Sequence, residues 1–368
     1  MQMHTNACNF AYVQIQSEER RIVVNCSIND IAACLGLSRN TVSKALNGKP
    51  GVSEETRKKI IETAVEMKYR QFLSADDLKE ETKRTGSIIL LTKSTAQTGF
   101  WLNVMEGIKS AIHGTGFSLA MAIVTDDEIA SYRIPPILQQ SDVRGIILVE
   151  VCNAEMCRKL LTLNIPIVTV DYPQHADDLM DKLDVVTMEN KKNIRTLITR
   201  LYSNGKRRFA FAGNLISENT SQGFADRYQA FSDTLREYGL REMKDCSLTE
   251  IAQDSFMNLS SLVSMIKNFK ELPEVYICGN DWTAIQMMHA LREAGVRIPE
   301  DVAIAGFDDI AEASETLPSL TTIRTPKELL GEETMHCLLS KIMTPSRPSL
   351  YITAATELIT RDSTGGLN

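Results

Sequence analysis

Arg39, Asn40, Ser43 and Lys44 share a short stretch with Val42, Ala45 and Leu46, whose helical spacing turns the apolar residues to one face and the polar ones to the other. An outward set of this kind suits planar hydrogen-bonding edges: Arg and Lys donate to guanine, and Asn pairs bidentately with adenine. The hydroxyls of Ser38, Thr41 and Ser43, with the amides of a helix start, suit phosphate oxygens. A second set is spread along the chain, in Phe100-Trp101, Asp171, Arg227 and Asn280-Asp281-Trp282. Aromatic faces, carboxylates and a guanidinium can hold the apolar faces and polar edges of a sugar or a nucleoside.

The elements that must position the first set read as compact helices. Ser27 or Asn29 caps a helix that buries Ile28, Ile31, Ala32 and Leu35; Gly36 turns the chain, and Ser38 caps the second helix. Ser53-Glu54-Glu55-Thr56 opens a third, expected to run to about Lys68. This spacing predicts a helix-turn-helix over 27–70, between an extension at 1–26 and a polar linker at 71–85.

From Ser87 onward apolar runs alternate with amphipathic helices. The runs are 87–92, 119–124, 145–150, 166–172, 208–213, 275–280 and 302–307; the helical patterns include Leu102–His113, Asn190–Asn204 and Arg227–Tyr238. Near-continuous apolar strands separated by helices predict parallel sheets covered on both faces. The length, 86–368, predicts two doubly wound subdomains. Such folds collect ligands at the C-terminal ends of their strands, where Phe100, Trp101, Asp171, Asp281 and Arg227 are expected, the last at the start of its helix.

Composition narrows the function. The 368 residues are 43% apolar with a net charge of −7, which argues against disorder and, at first sight, against a nucleic-acid partner. Yet residues 27–70 hold eight basic and five acidic side chains, so a basic head of +3 is masked by an acidic remainder of −10. Eight scattered cysteines without a CxxC pair, no apolar stretch of membrane length and no leader-like N-terminus predict a reduced, cytoplasmic protein that binds no membrane. An enzyme is not expected. No GxGxxG follows a strand, no phosphate-binding GxxxxGK[ST], GxSxG or HExxH is present, and no cofactor or metal is implied.

The motifs from Ile28-Asn29-Asp30-Ile31-Ala32 through Gly36-Leu37-Ser38, Thr41-Val42-Ser43 and Ala45-Leu46-Asn47-Gly48 resemble the LacI-type (lac repressor/GalR) family of bacterial transcription regulators. Val52-Ser53-Glu54-Glu55-Thr56-Arg57, Ala294-Gly295-Val296, Gly306-Phe307-Asp308-Asp309, Leu317-Pro318-Ser319-Leu320 and Arg361-Asp362-Ser363 carry the resemblance to about residue 363. It implies an all-α helix-turn-helix DNA-binding domain and an α/β, two-subdomain Rossmann-like core of the periplasmic-binding-protein kind. It also implies a homodimer or tetramer on a pseudo-palindromic double-stranded operator, with a small effector, a carbohydrate by preference, in the core's cleft.

By the same resemblance Arg39, Asn40 and Lys44 read bases, while Ser38, Thr41, Asn47 and Ser53 hold phosphates. Leu78 takes the place of a leucine wedged into the minor groove. Arg227 and Asp281 contact the effector, with Glu189 in place of the family's usual aspartate. Asp308 and Asp309 look structural. The chain departs from the family in having Lys44 for arginine, Gln71 for the linker proline, Leu73 for a basic residue, and Asp76 and Asp77 where phosphates would lie. Two alternatives follow: a member that senses a nucleoside or a partner protein, or a binding core whose acidic linker impairs operator binding.

Overall fold

The structure, a computed structural model, describes residues 27–47, 49–67, 69, 85–93, 99–174, 176–215, 220–251 and 253–366. They fall into two compact units divided at Arg84 and Thr85. Leu78 and the rest of the linker, like residues 1–26, lie outside the described residues.

The first unit is helical: α1 (Ile28–Leu35), α2 (Arg39–Leu46) and α3 (Glu54–Glu66). Ser27 caps α1 in a reciprocal box with Asp30, and Ser38 and Ser53 cap α2 and α3 through the amides of Thr41 and Thr56. Ile31, Val42, Ile60 and Ala64 meet in a fully or almost fully buried core. Arg57 adds a polar tie, donating to the Ala45 carbonyl at 2.7 Å and the Lys49 carbonyl at 2.8 Å, which fastens α3 to the end of α2. The third helix stops at Glu66, short of the expected Lys68, with Met67 as its C-cap.

The second unit has two lobes. In the first, six parallel strands lie in the order β10-β5-β4-β3-β1-β2. These are β1 (Gly86–Lys93), β2 (Phe117–Val124), β3 (Val143–Val149), β4 (Ile167–Val170), β5 (Asp184–Met188) and β10 (Tyr351–Ala354). In the second lobe β6 (Phe209–Ala212), β7 (Val275–Cys278) and β8 (Ala303–Ala305) are parallel neighbours. A separate antiparallel pair joins β9 (Thr322–Arg324) and β11 (Glu357–Ile359). Each of the seven apolar runs overlaps a strand; β5, β9, β10 and β11 lie outside them.

The helices in chain order are α4 (Gly99–Ile112), α5 (Asp126–Ala130), α6 (Ala154–Leu161), α7 (Lys192–Ser203), α8 (Gln222–Glu237), α9 (Leu259–Asn268), α10 (Asp281–Glu293), α11 (Ala311–Glu315) and α12 (Lys327–Met343). α8 begins at Gln222 rather than Arg227, because Ser221 starts it and Gly223 is accepted in its first turn. Arg227 therefore projects from the second turn of the helix, into the protein. Against the first sheet α12 packs on α4, β3, β4 and β5. It belongs to the first lobe although its sequence neighbours, Asp308 and β9, belong to the second.

Candidate functional site

On the first unit, the residues expected to meet DNA lie at the start of α2. Arg39 and Asn40 are exposed, and Lys44 sits one turn on. Ser38 spends one acceptor on Thr41's amide at 3.1 Å and shares a hydrogen bond with the Thr41 hydroxyl at 2.8 Å. Ser53 and Thr56 repeat the arrangement on α3, and Asn47 donates to the Ser43 carbonyl at 2.8 Å. These hydroxyls and the amide fix the helix ends first. Their exposed capacity, with the amides they organise, is what a phosphate would meet.

In the second unit, Arg227 is the centre of a cluster of buried polar groups drawn from both lobes. It is 4% exposed. Its Nε donates to Asn190 Oδ1 at 2.8 Å and its Nη1 to the Gly279 carbonyl at 2.6 Å, while its guanidinium lies 3.7 Å from the Phe307 ring centroid. Burial pulls its pKa down, opposed by the charges of Asp308, Asp171, Asp281 and Asp226. Asn190, beside the expected Glu189, is thus a residue that the sequence reading passed over. It receives the arginine while donating to the Met188 carbonyl at 2.8 Å.

The acids separate by environment. Asp281 is fully buried; its oxygens accept from the Ile310 amide at 3.0 Å and the Thr322 hydroxyl at 2.5 Å. Burial pushes its pKa up to about 6. In this structure both oxygens are engaged by these donors within the second lobe.

Glu189 is likewise turned to support. Its Oε1 accepts from the amides of Lys191 and Lys192, both at 2.8 Å, and so caps α7.

Asp308, which the sequence grouped with Asp309 as structural, differs from its neighbour. Asp309 is held by Arg324 and Arg361, each at 2.7 Å. The Asp308 carboxylate accepts no hydrogen bond from the described residues, and burial pushes its pKa up to about 7 against the attraction of Arg227. Of these acids, Asp308 and the buried Oε2 of Glu189 are left without a hydrogen-bond donor among the described residues, and Asp308 is the one that Arg227's charge acts on.

Asp171 joins the two lobes. Placed just past β4 at φ 63°, and 5% exposed, it accepts from the Tyr172 amide at 2.9 Å and, across to α8, from the Gly223 amide at 3.3 Å. Gln222 donates to the Tyr172 carbonyl at 2.8 Å, so loop and helix start are bonded twice. Gly223 makes room for this contact: a Cβ there would stand 2.4 Å from Asp171 Oδ2 and the carboxylate would have to move. The carboxylate caps the positive end of α8, yet burial raises its pKa overall. Asp171→Ala should leave α8's first amides without this partner and lower stability by about 1–3 kcal/mol. Urea unfolding checks this, and an unchanged midpoint would count against the contact.

The aromatic pair divides. Phe100 is 6% exposed and packs edge-on to Trp101 with centroids 4.6 Å apart, within the core of Val104 and Ile108. Trp101 is half-buried, its indole N–H donating to Glu150 just beyond β3, at the end of the sheet that faces the cleft. Among the described residues no cluster of His, Cys, Asp and Glu could hold a metal ion, and no helix is long and apolar enough to cross a membrane.

A helix-turn-helix unit and a two-lobed, parallel-sheet core in one chain are the parts of a DNA-binding regulator. Comparison with known proteins agrees. Residues 27–71 match the family of bacterial regulatory proteins of the lacI type, and residues 198–364 match the periplasmic binding protein-like domain. The chain thus carries a lacI-type DNA-binding domain together with a periplasmic binding protein-like domain, and the proteins it is similar to are transcription regulators.

Similar proteins include the HTH-type transcriptional repressor PurR of Serratia proteamaculans, 29% identical over 92% of this chain and 96% of that protein. The PurR of Vibrio vulnificus is 28% identical over 93% and 99%. The lac repressor dimer bound to operator and the anti-inducer ONPF shares the fold, with a TM-score of 0.65 at 20% identity over 92% of this chain and 99% of that one. So does the CelR–cellobiose complex, at 0.65 and 22% over 92% and 100%.

Proposed function

We propose that this regulator is a repressor that binds a pseudo-palindromic operator as a homodimer or tetramer in the cytoplasm, and that a small uncharged effector bound between the lobes sets its operator affinity. One observation carries the effector reading: three of Arg227's five N–H groups are engaged, by Asn190, the Gly279 carbonyl and Met188 Sδ, which leaves donors over near an Asp308 carboxylate that accepts no hydrogen bond among the described residues. A donor and an acceptor side by side match adjacent hydroxyls, each of which can accept from one and donate to the other. This supports a carbohydrate or a sugar-bearing molecule such as a nucleoside, with Trp101 at the rim as an apolar face. Solved relatives include the CelR–cellobiose complex and an Enterococcus faecium regulator with bound ribose, 20% identical with a TM-score of 0.63 over 77% of this chain and all of that one.

In the head, Arg39, Asn40 and Lys44 read bases, while Ser38, Thr41, Ser43, Asn47 and Ser53 place phosphates. Effector-driven movement of the lobes reaches the head through residues 71–85, and the coupling is reciprocal, so DNA changes effector affinity by the same factor. Thermal shift with ribose, cellobiose and adenosine tests the cleft. A ligand at a hundredfold its Kd should stabilise by about 2.7 kcal/mol, and silence from the full panel would argue against the sugar-bearing class. Arg39→Ala and Asn40→Ala should each cost ~1–3 kcal/mol at one base position and relax preference there. Electrophoretic shifts on a set of operator variants read this; a uniform loss across all variants would assign those side chains to phosphate.

A further inference from the structure

Lys327 is placed against ordinary preference. It is 7% exposed and is the first residue of the 17-residue helix α12, so a buried cation sits at the positive end of a helix dipole. No carboxylate among the described residues accepts a hydrogen bond from it. Its Nζ instead donates to the Asp308 carbonyl at 2.7 Å and the Asp309 carbonyl at 2.9 Å. Those residues adopt φ 119° and φ 53°, consecutive left-handed conformations that a non-glycine chain takes only when held there. The Thr325 hydroxyl also donates to the Asp308 carbonyl, at 3.2 Å. Because α12 packs in the first lobe and the Asp308 loop belongs to the second, this tie runs from one lobe to the other.

We infer that Lys327 is a positioning residue that reaches from the first lobe to hold the Asp308 loop, so that the aim of the cleft's free carboxylate depends on how the lobes are arranged. The inference rests on the reading of Asp308 as an effector contact, and it adds a route by which lobe movement reaches that contact. If α12 shifts relative to the second lobe, the ammonium leaves the two carbonyls and the loop is released from its left-handed conformation. Conversely, an effector that fixes Asp308 fixes Lys327 and the start of α12.

The groups facing the Asp308 carboxyl are Arg227 from α8, Asp281 from α10, Lys327 from α12 and Asp171 from the loop after β4. Lys327 and Arg227 favour its ionised form; the two aspartates oppose it. The test is a carbon-13 carboxyl titration of the full chain with labelled aspartate, the Asp308 signal being assigned by its loss in Asp308→Asn, together with amide hydrogen exchange over Asp308–Ile310. In the unaltered protein Asp308 should titrate near pH 7.

Lys327→Met should raise that midpoint by at least about half a pH unit and speed exchange in the loop. Lys327→Gln, which keeps a donor without the charge, should raise the midpoint while retaining more of the protection. Lys327→Arg should restore both. If Lys327→Met does not fold cooperatively, Lys327→Gln and Lys327→Arg decide alone. An unchanged midpoint and unchanged exchange in Lys327→Gln overturn the proposal. Should Asp308→Asn bind ribose, cellobiose or adenosine as the unaltered protein does, the effector reading of Asp308 fails while the positioning result stands.

Discussion

Arg227→Met should abolish the response to effector and destabilise the core by an amount that grows with pH. The arginine is buried among carboxylates, and removing one member of such an arrangement leaves charge uncompensated, at a typical cost of about 3–5 kcal/mol. The direction of the pH dependence follows from the acids. Asp281 and Asp308 have folded-state pKa values raised to about 6 and about 7, above the ~3.9 of an unfolded aspartate. Stability from a raised carboxyl is complete below the unfolded value and is lost as pH climbs through the folded one.

The unaltered protein should therefore lose part of its stability between about pH 4 and 7. Arg227→Met removes the attraction that restrains Asp308 and should extend that loss to higher pH. Urea unfolding at pH 5 and pH 8 measures it. A deficit equal at both pH values would mean that the arginine contributes by packing on Phe307, not by compensating charge.

The helical head was legible in the sequence because its determinants are local. Ser27, Ser38 and Ser53 cap the helices they precede, and the buried residues recur at helical spacing. The strands were legible as apolar runs, except β5, β9, β10 and β11; β5 shows why. That strand begins with Asp184, whose buried carboxylate is matched by Arg347 in two hydrogen bonds of 2.9 and 2.7 Å, a partner supplied by the segment between α12 and β10. A charge whose partner is distant in sequence hides a strand.

The same limit governs the cleft. Asn280-Asp281 and Asp308-Asp309 look alike in the sequence, as acids following a strand. Only the approach of Thr322 and Ile310 to the one and Arg227 to the other separates a bonded carboxylate from one with free acceptors. Arg227's place in the second turn of α8 was obscured by Gly223, a poor helix former that makes room for the Asp171 carboxylate.

Gly331→Val should be the most damaging single change in the core of the first lobe. At the crossing of α4 and α12, Gly107 and Gly331 let the two backbones touch. A Cβ at Gly331 would stand 2.0 Å from the Val104 carbonyl, and one at Gly107 would stand 2.0 Å from the Glu328 carbonyl. Each obstacle is backbone within a helix, so no side-chain rotation relieves it and the helices must separate. Overpacking usually costs ~1–3 kcal/mol, and a clash that only helix movement relieves should lie at or beyond the upper end.

The crossing also places function. Phe100 and Trp101 lie about two turns before Gly107 on α4, and Lys327 lies one turn before Gly331 on α12, so helix separation displaces the aromatic rim and the lysine together. A Gly331→Val protein that still folds should consequently lose its effector-induced thermal shift. Gly99→Ala is the matched control: its Cβ would meet only the Glu312 side chain at 3.6 Å and Ile310 at 4.0 Å, ordinary contacts, so melting temperature and effector response should be nearly unchanged. If Gly331→Val melts and responds like Gly99→Ala, the close approach of the two helices does not govern the lobe, and the coupling of rim to lysine through this crossing is wrong.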